Sequence, residues 1–135
     1  MVGMILLDTN AYSKLKQGDE GLASLVRRAE RIFFSVVVLG ELQFGFRRGN
    51  RYERNLAELN EFLASPYVEL LPVGPVTTDR FGRIAAALRA KGRPIPTNDV
   101  WIAAHAMESG AELISYDGHF EFIDGLVWTR PQTRS

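Results

Sequence analysis

Four carboxylates stand at positions where surface charge does not explain them. Asp8 closes the uninterrupted apolar run Met4-Ile5-Leu6-Leu7, and Glu41 lies at the edge of an otherwise apolar helix face. Asp99 opens the most apolar helical stretch of the chain, and Asp117 follows a short apolar strand. Two of them have simple explanations when taken alone. An acid in the first turn of a helix suits the helix dipole, and an Asp before Gly118 suits a turn. Asp8 and Glu41 resist such treatment, because a carboxylate beside a core has little water to solvate it. Carboxylates held close together repel one another and raise their own pKa values, and a divalent cation relieves that repulsion. Oxygen ligands, with no cysteine and two histidines in the chain, favour Mg²⁺ or Mn²⁺ over Zn²⁺. Such a centre matches a phosphate substrate, and its chemistry is hydrolysis of a phosphodiester by a metal-activated water.

The four can meet only if the fold brings them together. An apolar run that does not alternate suits a strand covered on both faces, and Asp8 would sit at its carboxyl end, where open α/β sheets place ligands. Asp117 joins it if the first and fourth strands are neighbours. Asp99 does so only if the loop from Lys91 to Asn98 folds back. The intervening elements are read from periodicity and breakers. Thr9 or Asn10 caps a short helix towards Lys16, and Asp19 starts a second through about Glu30. Arg31–Ser35 is a second strand. Val36–Arg48 is read as a helix despite three consecutive valines, because Val38, Leu42, Gly45 and Phe46 share a face; Gly49-Asn50 stops it. Helices over Arg51–Ala64 and Val76–Ala90 flank a third strand at Val68–Pro72. Gly92-Arg93-Pro94-Ile95-Pro96 enforces an extended connection. The helix from Thr97 to Met107 is apolar on nearly every side and therefore buried. Glu112–Ser115 and Leu126–Thr129 are the last two strands. This alternation predicts an α/β fold of three α/β/α layers, with a mainly parallel sheet of four or five strands. One domain over residues 1–130 is expected, with a short weakly ordered tail at 131–135.

The chain has 135 residues, 46% of them hydrophobic, enough for one core. Lys plus Arg and Asp plus Glu are both 16, so no overall charge advertises a nucleic-acid partner, although local clusters count for more. The absence of cysteine excludes disulfides and thiolate chemistry. With no secretory signal and no apolar stretch near the length of a membrane span, a soluble cytoplasmic protein is expected. Arg47, Arg48, Arg51 and Arg54, then Arg89, Lys91 and Arg93, and finally Lys14 and Lys16 form three basic groups. Each is either a phosphate contact or a solvated face. His105 is read as a satisfied interior residue and His119 as structural. Phe44, Phe46 and Trp101 are either core or an interaction surface.

The residues resemble a known family. Leu7-Asp8-Thr9-Asn10, Ser35 with Gly40-Glu41-Leu42 and Gly45, Pro96-Thr97-Asn98-Asp99 with Ile102-Ala103-Ala104, and Ser115-Tyr116-Asp117 with His119-Phe120 are similar, in order and over essentially the whole chain, to PIN-domain ribonucleases. The resemblance is greatest to the VapC-type toxins of toxin–antitoxin pairs. It maps the family's acids onto Asp8, Glu41, Asp99 and Asp117, and its auxiliary polar residues onto Asn10 and Ser115, with Thr9 and Ser35 as weaker matches. It implies a Mg²⁺- or Mn²⁺-dependent endoribonuclease that is a homodimer. It also implies a small antitoxin that folds across the active-site groove. Asp8 and Asp99 would be the principal ligands, with Glu41 and Asp117 completing the site directly or through waters.

Two alternatives stay open at this level. One is a PIN-like scaffold that binds RNA or a partner without cutting, against which the intact acid set argues. The other is a haloacid-dehalogenase-like phosphatase or a receiver domain. The former expects a second Asp where this chain has Asn10, and both expect a lysine that Ser115–Gly118 does not offer.

Overall fold

Residues of β1 (Val2–Leu7) alternate between two cores. Ile5 and Leu7 pack with Ala11, Leu22, Ile32 and Ile114, whereas Leu6 faces the other way, among Phe34, Val38, Ala103 and Leu113. All three β1 residues are fully buried. A strand covered on both faces has no solvent side, which explains the absence of alternating polarity. The computed structural model describes residues 2–131.

Along the chain follow α1 (Thr9–Lys16), α2 (Glu20–Arg28), β2 (Ala29–Ser35), α3 (Val36–Arg48), α4 (Tyr52–Leu63), β3 (Val68–Leu71), α5 (Pro75–Ala90), α6 (Thr97–Ser109), β4 (Glu112–Ile114), a 3₁₀ turn (Gly118–Phe122) and β5 (Trp128–Thr129). The five strands form one sheet in the order β3-β2-β1-β4-β5, and every pairing is parallel. Helices cover both faces, so the architecture is the expected three-layer α/β/α fold. The chain winds outward from β1 through β2 to β3, then crosses to the other side for β4 and β5. The point where the order reverses, between the carboxyl ends of β1 and β4, is where such sheets leave a crevice.

Several boundaries differ from the sequence reading. Asp8, and neither Thr9 nor Asn10, is the N-cap of α1, because its side chain accepts from Ala11 N–H. Glu30 belongs to β2 and not to α2, whose cap at Asp19 is as expected. β5 is confined to Trp128 and Thr129, although the Val127 carbonyl already accepts from Leu113 N–H at 2.8 Å. The 3₁₀ turn after Asp117 has no counterpart in the reading. It is a single short turn around Phe120, too brief to show a period. Of the expected tail, Pro131 is described and buried; residues 132–135 lie outside the described residues.

Two details bear on the site. Gly110 stops α6 in the left-handed conformation, with φ 75°, which glycine adopts without a Cβ penalty and which turns the chain directly into β4. His105, fully buried in α6, bridges neighbouring elements: Nε2 lies 3.1 Å from the Pro72 carbonyl and Nδ1 2.8 Å from Ser35 Oγ. A carbonyl only accepts, so Nε2 carries the proton there and the Ser35 hydroxyl donates to Nδ1. Ser35 Oγ also accepts from Val37 N–H at 3.0 Å, capping α3. Ser35 therefore fixes the start of the helix that carries Glu41. Ser35→Ala leaves the buried His105 Nδ1 and the half-buried Val37 N–H without this partner, and urea denaturation should show a loss of about 1–3 kcal/mol.

Candidate active site

Asp8, Thr9, Asn10, Glu41, Pro96, Thr97, Asn98, Asp99 and Asp117 line an open cleft of about 420 Å³ at the switch point. All four acids of the sequence reading converge there. Each arrives on a different element: Asp8 ends β1, Glu41 lies on α3, Asp99 in the first turn of α6, and Asp117 caps the 3₁₀ turn after β4. The extended segment before α6 does fold back, which brings Asp99 to the β1–β4 edge.

Hydrogen bonds orient these carboxylates. Asp8, 5% exposed, accepts from Ala11 N–H at 2.8 Å on Oδ1 and from the Ser115 hydroxyl at 2.5 Å on Oδ2. Ser115 also accepts from Asp117 N–H at 3.0 Å, so one buried hydroxyl positions two of the acids. Glu41 accepts from Thr9 Oγ1 on one oxygen and from Asn98 Nδ2, at 3.4 Å, on the other. Thr9 and Ser115 thus act through the acids. Asn10 lines the cleft and is exposed. Ser35 is not brought to the cleft; it serves His105 and α3.

His119 is the residue whose place the sequence reading missed. It does not merely support the fold: Nε2 lies 2.9 Å from Asp99 Oδ2, and Nδ1 lies 3.0 Å from Asp117 Oδ1. The Nε2 contact is a close approach and not an aligned hydrogen bond. The signal was its place two residues after Asp117, which the 3₁₀ turn folds back onto the cleft. None of the cations singled out in the sequence lines the cleft. Lys91 pairs with Asp124 at 2.9 Å, Arg47 covers the Tyr52 ring, and Lys14 covers the Tyr116 ring. Trp101 stacks on Phe81 with ring centroids 4.0 Å apart, whereas Phe44 is 65% exposed on α3.

The acids pay electrostatically for their company. Burial pushes the Asp8 carboxyl above the usual range, against the bonds from Ser115 and Ala11, and the charges of Asp117 and Glu41 push it further. Burial lifts Asp99 to about 6; His119 pulls it down, while Glu41, Asp8 and Asp117 add to the rise. The donor set fits a hard divalent cation: carboxylate oxygens, one imidazole, no thiolate. Asp99, Asp117 and His119 can each offer a ligand atom within 4.8 Å of the others, and the mutual repulsion is what a cation would neutralise.

A pH dependence follows. The native carboxyl of Asp99, raised from 3.8 to about 6, binds its proton more tightly than in the unfolded chain. Its contribution to stability is complete below pH 4 and is lost as pH rises through about 6. In chelator, Asp99→Asn should therefore stabilise the protein at pH 7 and change little below pH 4. Denaturant titrations at the two pH values measure the difference, and saturating Mg²⁺ should shrink it.

Comparison with known proteins agrees with this geometry. Residues 5–126 match the model of the PIN domain family. Ribonuclease VapC2 of Haemophilus influenzae is 33% identical over 112 residues, 82% of this chain and 83% of its own length. Ribonuclease VapC2 of Rickettsia felis is 32% identical, covering 90% of this chain and 93% of the relative. Among solved structures, VapBC2 of Rickettsia felis bound to a promoter DNA fragment superposes with a TM-score of 0.81 at 29% identity, covering 96% of this chain and 99% of that one. DNA-bound VapBC of Salmonella typhimurium does so with 0.82 at 29%, covering 96% and 98%. With its four carboxylates converging at the switch point of a parallel sheet, and with this similarity along nearly its whole length, the chain belongs to the PIN-domain family and, within it, to the VapC ribonucleases.

Proposed function

We propose that this protein is the toxin of a toxin–antitoxin pair, an endoribonuclease that hydrolyses RNA phosphodiester bonds with Mg²⁺ or Mn²⁺ at the four-carboxylate cleft. The observation that carries the reading is the convergence of Asp8, Glu41, Asp99 and Asp117, from four separate elements, on one open cleft. Asp8 and Asp99 would be the principal ligands, with Glu41 and Asp117 completing the set directly or through waters. The bound cation would lower the pKa of a water and neutralise charge on the phosphate oxygens.

The chain's own residues supply positioning. Ser115 and Ala11 N–H aim the Asp8 oxygens, and Thr9 and Asn98 hold Glu41, so the acids are fixed before substrate arrives. His119 stands between Asp99 and Asp117 and can offset part of their repulsion or offer a nitrogen to the cation. Asn10, exposed on the cleft wall, can contact the substrate. A phosphatase reading lacks the expected lysine.

The partner is a small cognate antitoxin, a role supported by the VapBC complexes that this chain resembles. A homodimer and a cytoplasmic location complete the reading. Among the described residues no helix is long and apolar enough to cross a membrane. The boundaries proposed for the domain are residues 1–130.

Purified protein incubated with total cellular RNA should cleave it, and a chelator should stop the cleavage. Asp8→Asn and Asp99→Asn should each lower the rate by at least about a hundredfold. Full activity in both variants, or cleavage indifferent to chelator, sinks the mechanism. Expression of the unsubstituted chain alone should arrest bacterial growth, and Asp8→Asn should restore it. Colony counts after induction provide the check.

A further inference from the structure

A second recess, of about 290 Å³, lies where the far ends of α1 and α3 meet α4, lined among others by Tyr12, Lys16, Phe46, Arg51, Arg54 and Glu58. Three cations there face one carboxylate. Glu58 pairs with Arg54 at 3.4 Å, while Lys16 and Arg51 form no ion pair among the described residues. Lys16 is held over the rings of Tyr12 and Phe62, 5.7 and 5.4 Å from their centroids. The recess therefore carries positive charge that nothing in the fold neutralises.

A second, independent feature is the Tyr12 side chain. It is 2% exposed and its hydroxyl has no hydrogen-bond partner. Its ring is locked edge-on between Phe34 and Phe62, at centroid distances of 5.5 and 5.3 Å, so the hydroxyl cannot swing away to find an acceptor. Burial, and then the charge of Glu58, push the phenol up to about 12, which keeps the proton in place as a donor. That oxygen has almost no accessible surface, so it stays inside the fold, and the Tyr12 ring serves as the wall over which Lys16 is held.

The recess shares two walls with the carboxylate cleft. Thr9 and Asn10 on α1, with Glu41 on α3, line the cleft; Ser13 and Lys16 on α1, with Phe46 on α3, line the recess. Thr9 and Lys16, at opposite ends of α1, stand roughly 10 Å apart along the helix axis, a gap that a short run of single strand bridges. We propose that the recess binds a backbone phosphate of the RNA strand being cut, with Lys16 and Arg51 neutralising its charge. This assignment rests on the ribonuclease reading above. Because the contact is to phosphate, it sets the position of the strand on the enzyme and not the base read at the cut.

The test is anisotropy of a labelled, short, mixed-sequence single-stranded RNA, with every protein in an Asp99→Asn background so that the RNA stays intact. Replacing Lys16 and Arg51 together by Gln should weaken binding by about tenfold, the worth of one charge-assisted hydrogen bond. The slope of log affinity against log salt should shrink by about 0.7, the value for one phosphate that is no longer neutralised. Arg83→Gln, which removes an exposed cation from α5, should change neither. Tyr12→Phe should leave RNA affinity alone while thermal stability holds or rises, since the buried orphaned hydroxyl is gone. Unchanged affinity and salt slope in the Lys16/Arg51 variant would overturn the proposal. Loss of binding to a glutamate-rich peptide with RNA affinity intact would overturn it too, and would assign the recess to a protein partner. RNA cleavage by the unsubstituted protein is scored separately. Its absence removes the nuclease reading and the proposal with it, whereas cleavage accompanied by unchanged affinities removes the proposal alone.

Discussion

The carboxylate of Asp8 is held from two sides at once, and the layout of the cleft depends on that. One oxygen accepts from Ala11 N–H, which starts α1 at the residue where β1 ends. The other accepts from Ser115 at the end of β4, while the Asp8 backbone N–H reaches the Ile114 carbonyl at 3.3 Å. A single side chain thus ends a strand, caps a helix and ties the two central strands together across the point where the sheet reverses its order. Without those bonds a buried carboxylate at this place would be an uncompensated charge. With them it is fixed in direction, and the remaining acids have a stationary group to converge on.

That convergence sets stability against function. Burial and mutual repulsion raise Asp8 and Asp99 together, so the clustered carboxylates carry a cost that the rest of the fold must cover. The cover comes from the two cores on either face of the sheet and from buried polar ties such as Ser35–His105–Pro72. A ligand that binds the native carboxylates and not the unfolded chain would return part of the cost as stability. His119 stands between two of the acids, 2.9 Å from Asp99 and 3.0 Å from Asp117.

The helices have parts to play at both ends. The starts of α1 and α6 and the first turns of α3 bring Asp8, Asp99 and Glu41 to the cleft, while the far ends of α1 and α3 frame the basic recess around Tyr12. A polymer has reason to be gripped away from the bond that is cut, because phosphate contacts fix its register without reading its bases. A chain with no net charge can still hold a polyanion if its cations are gathered and left unpaired. Lys16 and Arg51 meet that condition; Lys91, bound to Asp124 and to the Phe122 carbonyl, does not.

The sequence by itself determined the order of strands and helices, the buried character of β1 and α6, and the identity of the four acids. Each of these follows from local pattern: an unbroken apolar run, a period near 3.6, a breaker, or a charge where water is scarce. Glu41 was legible only because Val38, Leu42 and Phe46 outweighed the β preference of three valines. The tertiary structure decided what local pattern cannot carry. It set which strands are neighbours, that the segment before α6 folds back, that Ser115 and not Ser35 serves the acids, and that His119 reaches Asp99. It also showed that the Tyr12 hydroxyl is left without a partner. Local pattern arises from interactions a few residues apart along the backbone, whereas these outcomes depend on groups up to 107 residues apart, as Asp8 and Ser115 are, whose meeting is settled only when both faces of the sheet are packed.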